Sequence, residues 1–147
     1  MAAEELTSED YAALGELRFR IRRFLHFSEE AARASGLEPQ QHQMLLALRA
    51  VADPQGPTVG SLADHLLIRH HSAVGLIDRL EERGLVERAR GNSDRRQVRV
   101  RLTEAGERTL GQLSAVHRSE LQKTGPALVE ALHTVLEPIA RKSHSDE

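Results

Sequence analysis

The sequence predicts a mainly α-helical fold carrying one small β-hairpin, and three observations predict it. Apolar residues recur at helical spacing through most of the chain, beginning with Leu14, Leu17, Ile21 and Phe24. That period gives way to alternation in residues 85–90 and 98–102, which read as two antiparallel strands. Glycine and proline fall between the periodic stretches: Gly36, the Asp53-Pro-Gln-Gly-Pro57 cluster and Gly84 each stand where one ends. At 147 residues the chain fits one domain with a real core, or a compact unit completed by dimerisation.

Residues 7–34 read as one long helix. Thr7 or Ser8 caps it, and Glu9 and Asp10 put negative charge in the first turn, where the helix dipole favours it. Leu14, Leu17, Ile21, Phe24, Leu25 and Ser28 form a stripe opposite Glu16, Arg20 and Arg23. Such a stripe on a terminal helix needs a partner, from the same chain or from another subunit. Over 38–52 a second helix opens with Pro39, suited to a first helical turn, and turns Met44, Leu45, Leu48 and Val51 to one face. After the 53–57 breaker, Thr58 or Ser61 starts a short helix in which Leu62, Leu66 and Leu67 are expected to point inward. A brief turn leads to a helix over 72–83, with Ala73, Leu76, Ile77 and Leu80 at helical spacing and Gly84 at its end. The two strands follow. Their connection, 91–97, exceeds the roughly two to five residues usual in a hairpin, and long loops on small domains are often functional. Thr103 then opens the C-terminal helices, whose last part from Ala127 aligns Leu128, Leu132, Val135, Leu136 and Ile139, kinked or ended near Pro138.

Composition removes several functions. There is no cysteine, hence no disulfide, thiolate catalysis or cysteine-based redox sensing. Aromatics are 3% of the chain with no Trp, too few for a single-strand stacking platform. No run approaches the roughly 18 apolar residues of a membrane span. The acidic start MAAEELTSED is unlike a signal peptide, so a soluble, cytoplasmic protein is expected. No nucleophile elbow, phosphate loop or paired-carboxylate motif points to an enzyme, and no cofactor is implied. Among eight histidines no HExxH or His-x3-His pair occurs, so no metal ligands are assigned.

Charge is uneven. Residues 69–101 hold nine arginines against five acids, a net +4, which leaves −6 for the rest of a chain whose total is −2. A basic segment inside an acidic protein marks a local anion-binding face. Two short helices joined by a tight turn and followed by a hairpin describe a winged helix-turn-helix, flanked here by N- and C-terminal helices. In such units the second helix enters the major groove and presents its first residues to base edges. Here that helix opens with Arg69, His70, His71 and Ser72, all hydrogen-bond donors beside the free N–H groups of a helix start. Gly75 and Arg79 fall on or near the same outward face. In the hairpin, Val98, Val100 and Leu102 share one face and Gln97, Arg99 and Arg101 the other, with Arg95 and Arg96 near the tip. A finger of that length can reach the adjacent minor groove, where arginine senses groove width. The alternative is a solvated hairpin whose arginines pair with Asp94 and Glu87.

The segment Asp78-Arg-Leu-Glu-Glu-Arg-Gly-Leu-Val86, running on to Ser93-Asp-Arg-Arg-Gln-Val-Arg-Val-Arg-Leu-Thr-Glu-Ala-Gly106, resembles the MarR family of winged helix-turn-helix transcriptional regulators. The match lies in the end of the recognition helix and in the wing, Asp-x-Arg followed by strand residues and Leu-Thr-x-x-Gly. The resemblance implies a single domain over 1–147, with a DNA-binding region at 38–102 and dimerisation helices at 7–36 and 103–141. It makes Asp94 and Arg96 the wing's steadied pair and Arg95 a direct DNA contact, with Arg90, Asn92 and Ser93 beside them. It further implies a homodimer reading a pseudo-palindromic operator, with half-sites about one helical turn apart. A repressor released by a small aromatic or phenolic effector is the expected mode, and Arg22, His26, Phe27 and His42 lie on helices that border the family's effector pocket. The family often carries an acidic or small polar residue where this chain has Arg69, His70 and His71, so base specificity does not carry over. An unperturbed imidazole titrates near pH 6.5, so duplex binding is expected to weaken as pH rises from about 6 to 8. Two other readings stand beside this one: a zinc-responsive regulator of the same fold, and a winged helix used only for protein contacts.

Overall fold

The computed structural model describes residues 4–90 and 98–137, Arg90 by its backbone alone. Among these residues seven elements follow in order: α1 (Ser8–Ala34), α2 (Pro39–Ala50), α3 (Val59–Leu66), α4 (His70–Glu82), β1 (Val86–Arg90), β2 (Val98–Leu102) and α5 (Glu104–Leu136). They divide into two compact units, residues 28–116 and residues 1–27 with 117–147, and the long helices α1 and α5 each contribute to both.

The unit over 28–116 holds the main core. Its helices start as local chemistry dictates. The Glu38 N–H donates to Oε1 of Gln41 at 2.9 Å while Pro39 occupies the first turn of α2. Thr58 caps α3, its Oγ1 accepting from the Ser61 N–H at 3.1 Å. From α2 come Met44, Leu45 and Leu48, from α3 Leu62, and from α4 Ala73, Leu76, Ile77 and Leu80; all are buried together with Val86 and Val100 of the hairpin. Burial of each of the larger side chains stabilises by about 2 kcal/mol. The strands pair antiparallel from Val86 opposite Leu102 to Arg90 opposite Val98. A third backbone segment joins β2: the Val100 N–H donates to the Pro57 carbonyl at 3.0 Å, and Thr58 bridges to Arg99. The wing is thus tied to the 53–58 loop as well as to its own partner strand.

Three boundaries differ from the sequence expectation. First, α4 begins at His70, two residues before the predicted start, so His70 and His71 are helical. Second, Leu67 does not point inward. It closes α3 in the left-handed region (φ 56°, ψ 40°) and is 92% exposed, because reversing the chain within 67–69 needs that conformation and swings the side chain outward. Third, the C-terminal helices are one 33-residue helix that runs through Pro126. Proline costs it one N–H donor, a loss that long flanking turns absorb.

The junction from α4 through β1 to α5 is the tightest in the unit. Gly84 (φ +73°) ends α4, and the Leu85 N–H returns to the Leu80 carbonyl at 3.0 Å. Thr103 then does three things: its hydroxyl donates to the Gly84 carbonyl at 2.6 Å, accepts from the Gly106 N–H at 3.1 Å, and its own N–H donates to the Leu85 carbonyl. A Cβ at Gly106 would lie 2.0 Å from that same carbonyl oxygen, so only glycine admits the approach.

In the other unit, the ring of His117 meets Phe24 and Phe27 edge-on, with centroids 6.1 and 5.7 Å apart. Much of its apolar surface is left uncovered among the described residues. Tyr11, Leu14, Ile21 and Leu25 on α1 and Val129, Leu132 and Leu136 on α5 are all exposed, and a shallow apolar cleft on α5 is floored by Leu121, Gly125, Pro126 and Val129.

Candidate nucleic-acid interface

The start of α4 is open. Arg69 sits at its N-cap in extended conformation with no side-chain cap, and the first intrahelical bond is from the Ala73 N–H to the Arg69 carbonyl at 3.1 Å. The amides of His70, His71 and Ser72 therefore lack helical acceptors and face outward at the positive end of the helix dipole. All four side chains from Arg69 to Ser72 are exposed. One turn on, Gly75 is half-buried and Arg79 exposed, and a Cβ at Gly75 would approach nothing nearer than Nη2 of Arg79 at 3.4 Å. Internal packing does not require glycine there, and the helix would gain by about 1 kcal/mol from alanine. What a glycine offers at this place is close access to the outer backbone of α4.

The arginines of the basic segment whose side chains are described fall into two groups. Three are structural. Arg88 of β1 grips α4 through Asp78 and Glu81, one helical turn apart: its Nη2 donates to Asp78 Oδ1 and its Nη1 to Glu81 Oε1 at 2.9 Å. Partial burial works against the guanidinium charge, but the hydrogen bonds and fields of Asp78 and Glu81 outweigh it and raise the pKa above its ordinary value. Arg99 is not on a solvated face. Its Nη1 donates to Asp53 Oδ2 at 2.8 Å and to the Gly56 carbonyl at 3.0 Å, and only 15% of the side chain is exposed. Arg83 donates to the Gly36 carbonyl at 2.6 Å. Arg69 and Arg79, by contrast, have no ion pair among the described residues, and exposed Arg101 reaches only the Gln55 carbonyl at 3.4 Å.

Arg69, His70, His71, Ser72, Gly75 and Arg79 thus share one helix and its outward side. Asn92, Ser93, Asp94, Arg95 and Arg96 lie outside the described residues, as does the side chain of Arg90. Of the effector candidates, Arg22 and His26 are exposed on α1 and Phe27 is half-buried against His117, all in one unit, whereas His42 belongs to the other and is 5% exposed. Among the described residues no group of three or more His, Asp or Glu is placed to hold a metal ion, and no helix is long and apolar enough to cross a membrane. The roles of Arg88 and Arg99 are not apparent from the sequence reading. Asp78 and Glu81 at three-residue spacing give a signal for the first; the 46-residue separation of Asp53 and Arg99 hides the second.

The sequence profile of the MarR family matches residues 35–97. The transcriptional activatory protein BadR of Rhodopseudomonas palustris is 30% identical over 116 residues, covering 72% of this chain, and the chain spans 66% of that protein's length. A MarR transcription factor from Planctomyces limnophilus is 33% identical, with 92% of this chain and 96% of that one covered and a TM-score of 0.61. CouR from Rhodococcus jostii RHA1, solved bound to p-coumaroyl-CoA, is 25% identical over 84% of this chain and 88% of its own, with a TM-score of 0.63.

Proposed function

The chain belongs to the MarR family of transcriptional regulators, whose members are not enzymes, and from that premise we propose that it binds duplex DNA as a homodimer and releases it on binding an effector. The observation that carries the reading is the uncapped, exposed start of α4, where Arg69, His70, His71 and Ser72 stand beside free amides and Gly75 opens the next turn. In this reading residues 38–102 read the DNA, with Arg90 and the wing residues Asn92, Ser93, Asp94, Arg95 and Arg96 at the adjacent groove. Residues 7–36 and 103–141 build the dimer, and the uncovered Leu14, Ile21, Leu25, Val129 and Leu132 supply its apolar contact. Two recognition helices then address a pseudo-palindromic operator.

The effector is a small aromatic or phenolic acid, free or as its coenzyme A thioester, the second form supported by the ligand of CouR. Arg22, His26, Phe27 and His42 are its candidate contacts. Such a ligand moves the protein off DNA only by as much as it prefers the non-binding conformation. Repression is the proposed outcome; the name of BadR favours activation as a second reading, and a reporter carrying the operator decides between them by the sign of its response.

The test is binding of the purified protein to DNA upstream of its own gene across a salt series. A reader that neutralises about six phosphates gives a log–log salt slope near −5. Absence of any salt-dependent duplex binding sinks the proposal. Release of the bound DNA by aromatic acids or their thioesters then tests the effector.

A further inference from the structure

The N-terminal half of α1 carries a feature that neither DNA reading nor the apolar stripe uses. Residues 16–23, Glu-Leu-Arg-Phe-Arg-Ile-Arg-Arg, hold four arginines and one glutamate, a local net charge of +3 in a chain whose total is −2. At helical spacing Arg18 and Arg22 form one row and Phe19 and Arg23 the next, while Leu17, Ile21 and Phe24 lie on the opposite side. Phe19 therefore stands in the middle of the charged face, 48% exposed, where a solvated helix would carry a polar residue. Two guanidiniums flank its ring, Arg20 at 5.7 Å and Arg23 at 5.8 Å from the centroid. Only Arg20 of the four has an acidic partner among the described residues, Glu16 at 2.8 Å. An exposed ring beside Arg18, Arg22 and Arg23, which have no acidic partner among the described residues, combines a surface on which a flat base stacks with donors for phosphate oxygens.

We infer that this face of α1 binds the nucleoside diphosphate portion of a ligand, the base stacking on Phe19 and the phosphates pairing with Arg18, Arg22 and Arg23. The inference deepens the effector reading above and rests on its thioester form, since coenzyme A carries such a portion and a free aromatic acid does not. It assigns to α1 the charged end of the ligand.

The experiment titrates the full chain with ADP and, separately, with coenzyme A, following heat. Saturable binding of both to the parent protein is expected. The Arg18→Gln/Arg22→Gln double variant should weaken both by about tenfold or more. Phe19→Leu, which keeps an apolar side chain without a ring face, should weaken both by at least about fivefold. Circular dichroism and sedimentation of the variants should match the parent. No saturable binding of either probe, or binding that the variants leave unchanged, overturns the inference. So does a result in which the variants lose dimerisation or duplex affinity while nucleotide binding persists, which would make this face a protein or DNA contact instead. If free aromatic acids release DNA but neither ADP nor coenzyme A binds, the inference fails and the effector reading survives. If both probes bind with the expected losses while no acid or thioester releases DNA, the effector reading fails alone.

Discussion

At the scale of single residues, arginine is the unit that needs sorting. Arg88 and Arg99 look in the sequence like Arg101, alternating basic residues of a hairpin, and only tertiary geometry separates the two anchored side chains from the exposed one. Exposed ion pairs contribute little free energy, roughly 0–1 kcal/mol, so the importance of the Arg88 grip on Asp78 and Glu81 is orientational: it sets β1 against α4. Arg95→Ala should weaken operator binding by about tenfold or more without lowering the melting temperature, whereas Arg101→Ala, whose side chain has one long contact, should cost less than about threefold; gel shifts and thermal melts compare the two. Gly75→Ala separates folding from reading. It should leave the fold unchanged or stabilise it by up to about 1 kcal/mol, while the added methyl weakens operator affinity; a variant that is less stable would show that packing, not DNA, demanded the glycine.

Among the elements, those with strong periodicity were legible in advance. The apolar positions of α1, α2 and α4 and the alternation of both strands follow from repeats of 3.6 and 2 residues, and Thr58, Pro39 and Gly84 mark ends by their own chemistry. What stayed hidden depended on tertiary geometry. Leucine at position 67 reads as one more core residue, and only the left-handed backbone of the tight turn turns it to solvent. The C-terminal stretch reads as more than one helix, yet α5 runs unbroken from Glu104 to Leu136 with Pro126 inside it. The Leu-Thr-x-x-Gly stretch marked the wing in the sequence, and its threonine and glycine prove to join α5 to the end of α4. Gly106→Ala should therefore destabilise by about 1–3 kcal/mol, since the methyl meets a backbone carbonyl that cannot rotate away. Differential scanning calorimetry should register a melting temperature lower by about 4–8 °C for a loss near 2 kcal/mol. An unchanged melting temperature would mean that the α5 start is loosely seated.

For the whole molecule, the two units have different shortages. Residues 28–116 bury a continuous core and cap the starts of α2 and α3 internally, leaving that of α4 open, whereas among the described residues α1 and the later part of α5 leave large apolar side chains in water. A monomer with that surface is a poor solution to the hydrophobic effect, which is why dimerisation is proposed through these helices. Leu132→Glu, placing a charge where an apolar contact is proposed, should shift the sedimenting species from dimer to monomer and abolish cooperative operator binding, with the helical circular dichroism of the winged unit retained. A dimer of undiminished stability would place the interface elsewhere. The candidate site was legible in part for the same physical reason: an open helix start and a basic loop announce themselves in composition, while a ligand pocket requires the spatial convergence of distant residues.

Pro126 has one more consequence, and it concerns time rather than structure. Having no N–H, it leaves the carbonyl four residues earlier, that of Gln122, without its helical donor, so α5 holds a point where two stretches of amide protons are joined by one fewer bond. Local opening should begin there. Hydrogen–deuterium exchange is expected to show amides around 121–127 losing protection sooner than those near Leu110 and Leu113, which are packed into the winged unit's core. Uniform protection along all of α5 would contradict this, and Pro126→Ala should slow the exchange.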